Sequence, residues 1–256
     1  MHGSAPQAAQ DFGSNSFEFA LNADLSVGRL ADRFAAFGRL QISDFLAVES
    51  AQRLRAHLEQ SDCWRHIFNA DDRTYEIPGS DWDATPDANR APVRKLIDAA
   101  AAYDFQYQYD TIRAPNRGEE WARSGSPLDQ FAEFLSSPPV LDMLMAITGS
   151  DDLVFADCQA TRYRSGDFLT PHNDELEGMN RRFAYVLSLT DGWLPRWGGL
   201  LHFVDPKGGI EETITPRFNS LSLFAIGQSH YVSQVATYAP VPRISVTGWL
   251  RTKVPD

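Results

Sequence analysis

From residue 153 to residue 250 the chain is written as short apolar, β-branched and aromatic segments, and each one closes on glycine, proline, asparagine or aspartate. The segments run over 153–163, 183–190, 200–204, 220–226 and 243–250. Strands this short, with turn residues rather than helices between them, predict an antiparallel sandwich or barrel. The chain before them has another character. GRLQISDFL (38–46) reads as a short strand followed by a helix start, and 47–60 has apolar residues at helical spacing. Residues 63–77 alternate enough for a strand or hairpin, and helical stretches follow at 92–106 and 128–148, the second broken at Pro138 and Pro139. The expected architecture is mainly β, with helices packed on the outside of one β core. Residues 1–20, small and polar, read as a frayed tail, and 21–256 as one domain, with 21–150 as support and 151–256 as the β core.

Composition bounds the partners. The 256 residues carry 23 Lys+Arg against 34 Asp+Glu, a net charge of −11, and 43% are hydrophobic, enough for a real core. An acidic chain lacks the basic face that displaces counterions from phosphates, which disfavours nucleic acid and suits a basic protein segment or a small metabolite. The two cysteines, Cys63 and Cys158, are far apart and form no thiolate zinc spacing, so the expected compartment is the reducing cytoplasm. No apolar run approaches the length of a spanning helix, and the first ten residues hold no apolar signal core, so neither secretion nor a membrane is expected.

The chemistry concentrates in TRYRSGDFLTPHNDELEGMNRR. On an extended strand, residues i and i+2 share a face about 6.5–7 Å apart, so His172 and Asp174 can converge on one metal. His230 follows 56 positions after Asp174, behind the apolar segment LSLFAI and the turn GQS. Two imidazoles and one carboxylate make a facial triad, the set that holds Fe(II) and leaves positions open for a cosubstrate and O2. In RISVTGWL, Arg243, Ser245, Thr247 and Trp249 alternate against Ile244, Val246 and Leu250. An arginine on the interior face of a barrel is costly unless it meets an anion, and its planar fork matches a carboxylate bidentately, so Arg243 calls for a dicarboxylic ligand.

This ordered set resembles the 2-oxoglutarate and iron(II)-dependent oxygenases, specifically the prolyl-hydroxylase type. HNDELEG, RRFAYVLSLT, the paired glycines of RWGGLLHF and RISVTGWL are similar to the branch that hydroxylates a prolyl residue of a ribosomal small-subunit protein. The likeness is good over about 150–251 and general in layout before that. It implies a double-stranded β-helix, or jelly-roll, core in which His172, Asp174 and His230 bind Fe(II), Arg243 pairs with the distal carboxylate of 2-oxoglutarate, and Tyr163 donates its hydroxyl to that cosubstrate. It also implies O2 as the second cosubstrate, succinate and CO2 as products, ascorbate as a candidate reductant, and a basic ribosomal protein as a candidate substrate. One departure stands out, since the branch commonly has tyrosine where this chain has Ser188.

Trp249 and Arg182 are the candidate substrate contacts, and Arg181 reads as a peptide grip or a solvated cation. The loop Glu175 to Asn180 is a candidate lid, and GWLPRWGG (192–199) a candidate rim. His202 reads as a satisfied core histidine. Two other functions fit the same residues: a hydroxylase of a free amino acid or small metabolite, and a non-catalytic sensor that binds metal and 2-oxoglutarate. An open groove marks a peptide enzyme and an enclosed cavity a small-molecule one.

Overall fold

The computed structural model describes residues 18–70, 73–116 and 125–254. In chain order the elements are α1 (Val27–Phe37), β1 (Arg39–Ile42), α2 (Val48–Gln60), β2 (Arg65–Ala70), β3 (Arg73–Pro78), α3 (Gly79–Ala84), α4 (Asp87–Ala101), β4 (Tyr107–Arg113), α5 (Pro127–Leu135) and α6 (Pro138–Thr148). The remainder is β: β5 (Phe155–Ala156), β6 (Gln159–Tyr163), β7 (Phe168–His172), β8 (Arg181–Ser188), β9 (Leu201–Val204), β10 (Ile210–Ile214), β11 (Ser220–Ala225), β12 (His230–Val232) and β13 (Arg243–Arg251). None of the helices among the described residues is long and apolar enough to cross a membrane.

The strands form one antiparallel sheet in the order β1-β11-β8-β13-β6-β4-β7-β12-β9-β10, with β2 and β3 extending from β4 and β5 beside β13. It rolls until its ends nearly meet. There Arg39 of β1 reaches Glu212 at 2.5 Å and Glu211 at 3.2 Å, both on β10. This is the jelly-roll core expected from the sequence.

Strand parity assigns the two faces. On β8, β11 and β13 the outward residues Tyr185, Leu187, Leu221, Leu223, Ile244, Val246 and Leu250 meet Phe34 of α1, Leu54 of α2, Phe131 of α5 and Leu144 of α6 in the main apolar core. Burying each such side chain contributes about 1.5–3 kcal/mol, so this layer is the principal source of stability. Helix starts obey local rules here. Ser126 caps α5 by accepting from the Asp129 N–H at 3.1 Å, and Pro138 opens α6 at a position where no N–H is needed.

The structure corrects several boundaries. The helix expected at 92–106 runs instead from Asp87 to Ala101 and continues through Pro92. The Tyr-Gln-Tyr alternation after it belongs to β4, and α1, α3 and β10 had no counterpart in the sequence reading. Most of the tail expected at 1–20 lies outside the described residues, but Phe19 is buried against Phe131, at 5.3 Å between ring centroids.

Gly198 and Gly199 are required by backbone crowding rather than by flexibility. A Cβ on Gly198 would lie 2.0 Å from the Gln234 carbonyl oxygen, and one on Gly199 would press on Trp193 and Val235. Both residues have positive φ, 67° and 61°. The segment 192–199 therefore plugs the barrel floor. Trp193 is buried beside Tyr163, Val232 and Val235 and donates its indole N–H to the Gly198 carbonyl at 2.8 Å. The rim expected there is not formed by this tryptophan.

A buried charge cluster ties β2, β4 and β6 together on the outer side of the sheet. Asp110 accepts from Arg162 at 2.8 Å and Arg164 at 3.0 Å and pairs with His66 Nδ1 at 2.8 Å. His66 in turn stacks on Trp82, with ring centroids 4.5 Å apart. Burial would raise the Asp110 carboxyl, but the His66 hydrogen bond and the two guanidinium charges hold it below the ordinary carboxylate range. Asp110 thus binds its proton less readily folded than unfolded. Its stabilisation is complete above the unfolded value near ~3.9 and is lost as pH falls through the folded one. Asp110→Asn is expected to cost about 3 kcal/mol at pH 7 by leaving two arginines without their carboxylate. In urea titrations across pH, the gap from the unaltered protein should close as Asp110 is protonated.

Candidate active site

The candidate metal ligands come together through backbone register. His172 ends β7, His230 begins β12, and the two are direct cross-strand partners with ring centroids 4.2 Å apart. Each ring is fixed from behind. His172 Nδ1 lies 3.0 Å from the Thr170 carbonyl oxygen, and His230 Nδ1 lies 2.9 Å from that of Gln228. A carbonyl accepts only, so each Nδ1 carries the proton and each Nε2 presents its lone pair. The two Nε2 atoms face opposite oxygens of Asp174, at 3.5 Å and 3.4 Å.

Asp174 gets there by leaving the strand. Its φ of 61° is in the left-handed region, a conformation that costs a non-glycine residue of order 1 kcal/mol and is kept where the surroundings enforce it. Arg181 is one of those surroundings. Its guanidinium donates to the Asp174 backbone carbonyl at 3.1 Å and lies 3.5 Å over the Trp249 ring.

The electrostatics suit a divalent cation. Burial pushes His230 down to about 4, a direction reinforced by His172, so its ring is neutral near pH 7. Burial alone would raise the Asp174 carboxyl, yet the neighbouring His172 and His230 rings and the Trp249 indole hold it below its ordinary value. One ligand atom from each of the three residues fits within 4.8 Å of the others. Two neutral imidazoles and a carboxylate, with lone pairs converging, fit the facial set of a non-haem Fe(II) site.

A cavity of about 570 Å³ runs from this triad to Arg243. As expected, Arg243, Ser245, Thr247 and Trp249 all line it. Arg243 is buried, with its Nε and Nη1 atoms lacking any hydrogen-bond partner. Burial pushes its pKa below the ordinary guanidinium value. A buried guanidinium with free donors fits one end of a dicarboxylate. Beside it, the Thr161 and Ser245 hydroxyls bond each other at 2.8 Å. Tyr163 pairs with Arg243 across β6 and β13 and stacks on Tyr109 at 4.9 Å. Burial raises both phenols, so they remain O–H donors.

One expectation changes at the start of β8. Arg182 faces away from the cavity and ion-pairs with Asp152 at 2.5 Å, because the pairing of β8 with β13 slips by one residue between Phe183 and Arg181 and breaks the alternation that puts Ala184 and Val186 inside. Its neighbour Arg181 holds the cavity position instead. His202 is the satisfied, buried histidine expected, outside the cavity, bonded to the Thr213 hydroxyl at 2.9 Å and stacked on Tyr231.

The sequence reading missed one whole wall. Ile67 of β2, Tyr107, Tyr109 and Arg113 of β4, and Phe105 just before it all line the cavity. Phe105, Tyr107 and Tyr109 form an aromatic stripe at i, i+2 and i+4, with 5.7 Å between successive rings. At its top Phe105 is 47% exposed and lies 5.6 Å from the His172 ring, and Leu176 across the mouth is 59% exposed. The signal was the alternation of aromatic residues in FQYQY, which overlaps the end of the segment assigned to a helix.

Residues 158–251 match the sequence model of the 2OG-Fe(II) oxygenase superfamily, a span that contains the triad and Arg243. The C-terminal β core is a 2OG-Fe(II) oxygenase domain. The oxygenase core has longer relatives. The chain is 37% identical over 100 residues, 36% of its own length, to the prolyl 3-hydroxylase OGFOD1 of Xenopus laevis, of which this covers 19%. It is 33% identical over 154 residues, 57% of its length, to the mouse prolyl 3-hydroxylase OGFOD1, of which this covers 28%. The chain thus spans under a third of the length of these curated relatives. Among solved structures, a Pseudomonas putida prolyl-4-hydroxylase superposes with a TM-score of 0.55 at 20% identity, covering 89% of this chain and all of that one. A Trichoplax adhaerens prolyl hydroxylase bound to a fragment of a hypoxia inducible factor gives 0.59 at 15% identity, covering 88% and 89%. At such identities these structures establish the shared fold.

Proposed function

We propose that the protein is an Fe(II)- and 2-oxoglutarate-dependent dioxygenase that hydroxylates a prolyl residue of a protein. The observation that carries this reading is the single cavity holding the His172, Asp174, His230 triad at one end and the unpaired Arg243 fork at the other. Bound Fe(II), with 2-oxoglutarate and O2, supplies the oxidising power that places one oxygen atom in a substrate C–H bond and the other in succinate, with release of CO2.

The protein's own share is positioning. His172, Asp174 and His230 would hold the metal on three neighbouring sites, leaving the rest for cosubstrates. Arg243 would anchor the far carboxylate, with the Tyr163 phenol as a further donor. Trp249 and the Arg181 stacked on it would flank the reacting carbon, and the apolar walls would keep water out.

The mouth favours a protein segment over a free amino acid. The aromatic stripe ends at the half-exposed Phe105 beside His172, and the exposed Leu176 lines the same cavity, so apolar surface continues from the site out to its opening. Aromatic-lined grooves suit extended proline-containing segments. The net charge of −11 suits a basic partner, such as a ribosomal protein before assembly.

The test is to incubate the iron-loaded protein with 2-oxoglutarate, ascorbate and basic proline-containing peptides. Mass spectrometry should find one added oxygen on proline, with stoichiometric succinate. Modification of free amino acids but of no peptide would replace this reading with the small-molecule one, and cosubstrate binding without any turnover would replace it with the sensor. Phe105→Ala is expected to raise the peptide KM about tenfold, the contribution of one buried aromatic contact, and to leave peptide-independent 2-oxoglutarate turnover unchanged. Equal effects on both rates would remove Phe105 from the substrate path.

A further inference from the structure

A row of hydroxyl side chains crosses the barrel interior beside Arg243, and one of them has no partner. Thr161 of β6 is in register with Ser245 of β13, Ser245 with Ser188 of β8, and Ser188 with Ser220 of β11. All four are buried. Three are satisfied: Thr161 and Ser245 bond each other, and Ser220 donates to the Arg217 carbonyl at 2.7 Å while accepting from Gln41 at 3.2 Å. The Ser188 hydroxyl bonds nothing.

Position makes that orphan informative. Ser188 shares the inner face of β8 with the cavity-lining Ala184 and Val186, whereas Tyr185 and Leu187 between them face the outer core. It lies one strand aside from Ser245 and is the diagonal neighbour of Arg243, about 7–8 Å away across an antiparallel pair. Arg243 Nε and Nη1, at this end of the cavity, are unpartnered donors on the neighbouring strand. Leaving a buried donor unmade is costly, so unmade donors at diagonal positions on adjacent strands mark the place of an acceptor.

We infer that Ser188 is a specificity-determining residue for the 2-oxo acid, donating its hydroxyl to the same far carboxylate that Arg243 holds. The inference rests on the dioxygenase reading. Its consequence is selective: Ser188 strengthens binding of 2-oxo dicarboxylates and is indifferent to monocarboxylates, which carry no second carboxylate to reach it.

The experiment is calorimetric titration of the Mn(II)-loaded protein with 2-oxoglutarate and, separately, with 2-oxobutyrate, for the unaltered chain, Ser188→Ala and Ser188→Thr. A hydrogen bond to a charged acceptor corresponds to about a 10–150-fold change in Kd. Ser188→Ala is therefore expected to weaken 2-oxoglutarate by that factor and leave 2-oxobutyrate unchanged, while Ser188→Thr, which keeps the hydroxyl, restores 2-oxoglutarate to within about twofold. Thermal melting of each variant without ligand checks that the fold is intact. An unchanged 2-oxoglutarate affinity in Ser188→Ala overturns the inference, as does equal weakening of both acids, which would mean altered packing alone. Failure of the unaltered protein to bind any 2-oxoglutarate would overturn the dioxygenase reading and this inference with it.

Discussion

Asp174→Ala is expected to lower Fe(II) affinity by at least about 100-fold and to reduce 2-oxoglutarate turnover to background. Asp174 is the only carboxylate of the triad, and its two oxygens face both imidazoles at 3.4–3.5 Å. Without it, two neutral histidines remain, a weak site for a hard divalent cation. Losing an outer-shell partner alone typically costs 10–100-fold, so losing a ligand should exceed that. Metal retained after gel filtration and succinate yield are the readouts. The fold should survive, since the two histidines keep their backbone hydrogen bonds and Asp174 lies outside the strands. Retention of iron by a well-folded Asp174→Ala protein would move the metal elsewhere.

Arg243→Ala should weaken 2-oxoglutarate about 100-fold or more while sparing the metal. Two charge-assisted hydrogen bonds at about 1.5–3 kcal/mol each convert to a loss of that size. Titration of the Mn(II)-loaded variant measures it. Arg243→Lys should recover only part of the loss, because a single ammonium cannot reproduce the planar fork. The truncated acid 2-oxobutyrate should bind the variant and the unaltered protein within a few-fold of each other. If 2-oxoglutarate binding survives Arg243→Ala, the cosubstrate lies in another orientation.

Much of this was legible in the sequence, and the parts that were not share a cause. The period-2 alternation of 243–250 placed Arg243, Ser245, Thr247 and Trp249 on the cavity side correctly, because that strand is buried on both faces and its polar residues stand out. Choosing Arg182 over Arg181 failed because β8 carries an irregularity at its start: its pairing with β13 slips by one residue between Phe183 and Arg181, which exchanges the faces there. The β4 wall was hidden because an alanine-rich helix runs almost directly into it, with only a short turn to mark the change. Asp110 and His66 looked unremarkable because they meet each other across β2 and β4 and Asp110 meets Arg162 of β6 and Arg164 just after it, contacts between residues 44 to 54 positions apart that no local pattern encodes. The orphan hydroxyl of Ser188 is likewise a property of register across strands, visible only when the sheet is assembled.

The cavity is built from two stretches of chain that differ in what they supply. Every triad residue and Arg243 fall within 158–251, whereas Ile67, Phe105, Tyr107, Tyr109 and Arg113 come from the half before it. A fragment trimmed to the matched span would keep the groups proposed to bind iron and dicarboxylate, but as a trough with one side missing. Part of the wall proposed to meet the target is thus carried on a length of polypeptide separate from the proposed metal and dicarboxylate ligands. Substitutions accumulating along β2 and β4 can redirect which molecule is oxidised without disturbing the atoms that oxidise it, which makes the first half of the chain the place where new targets would be acquired.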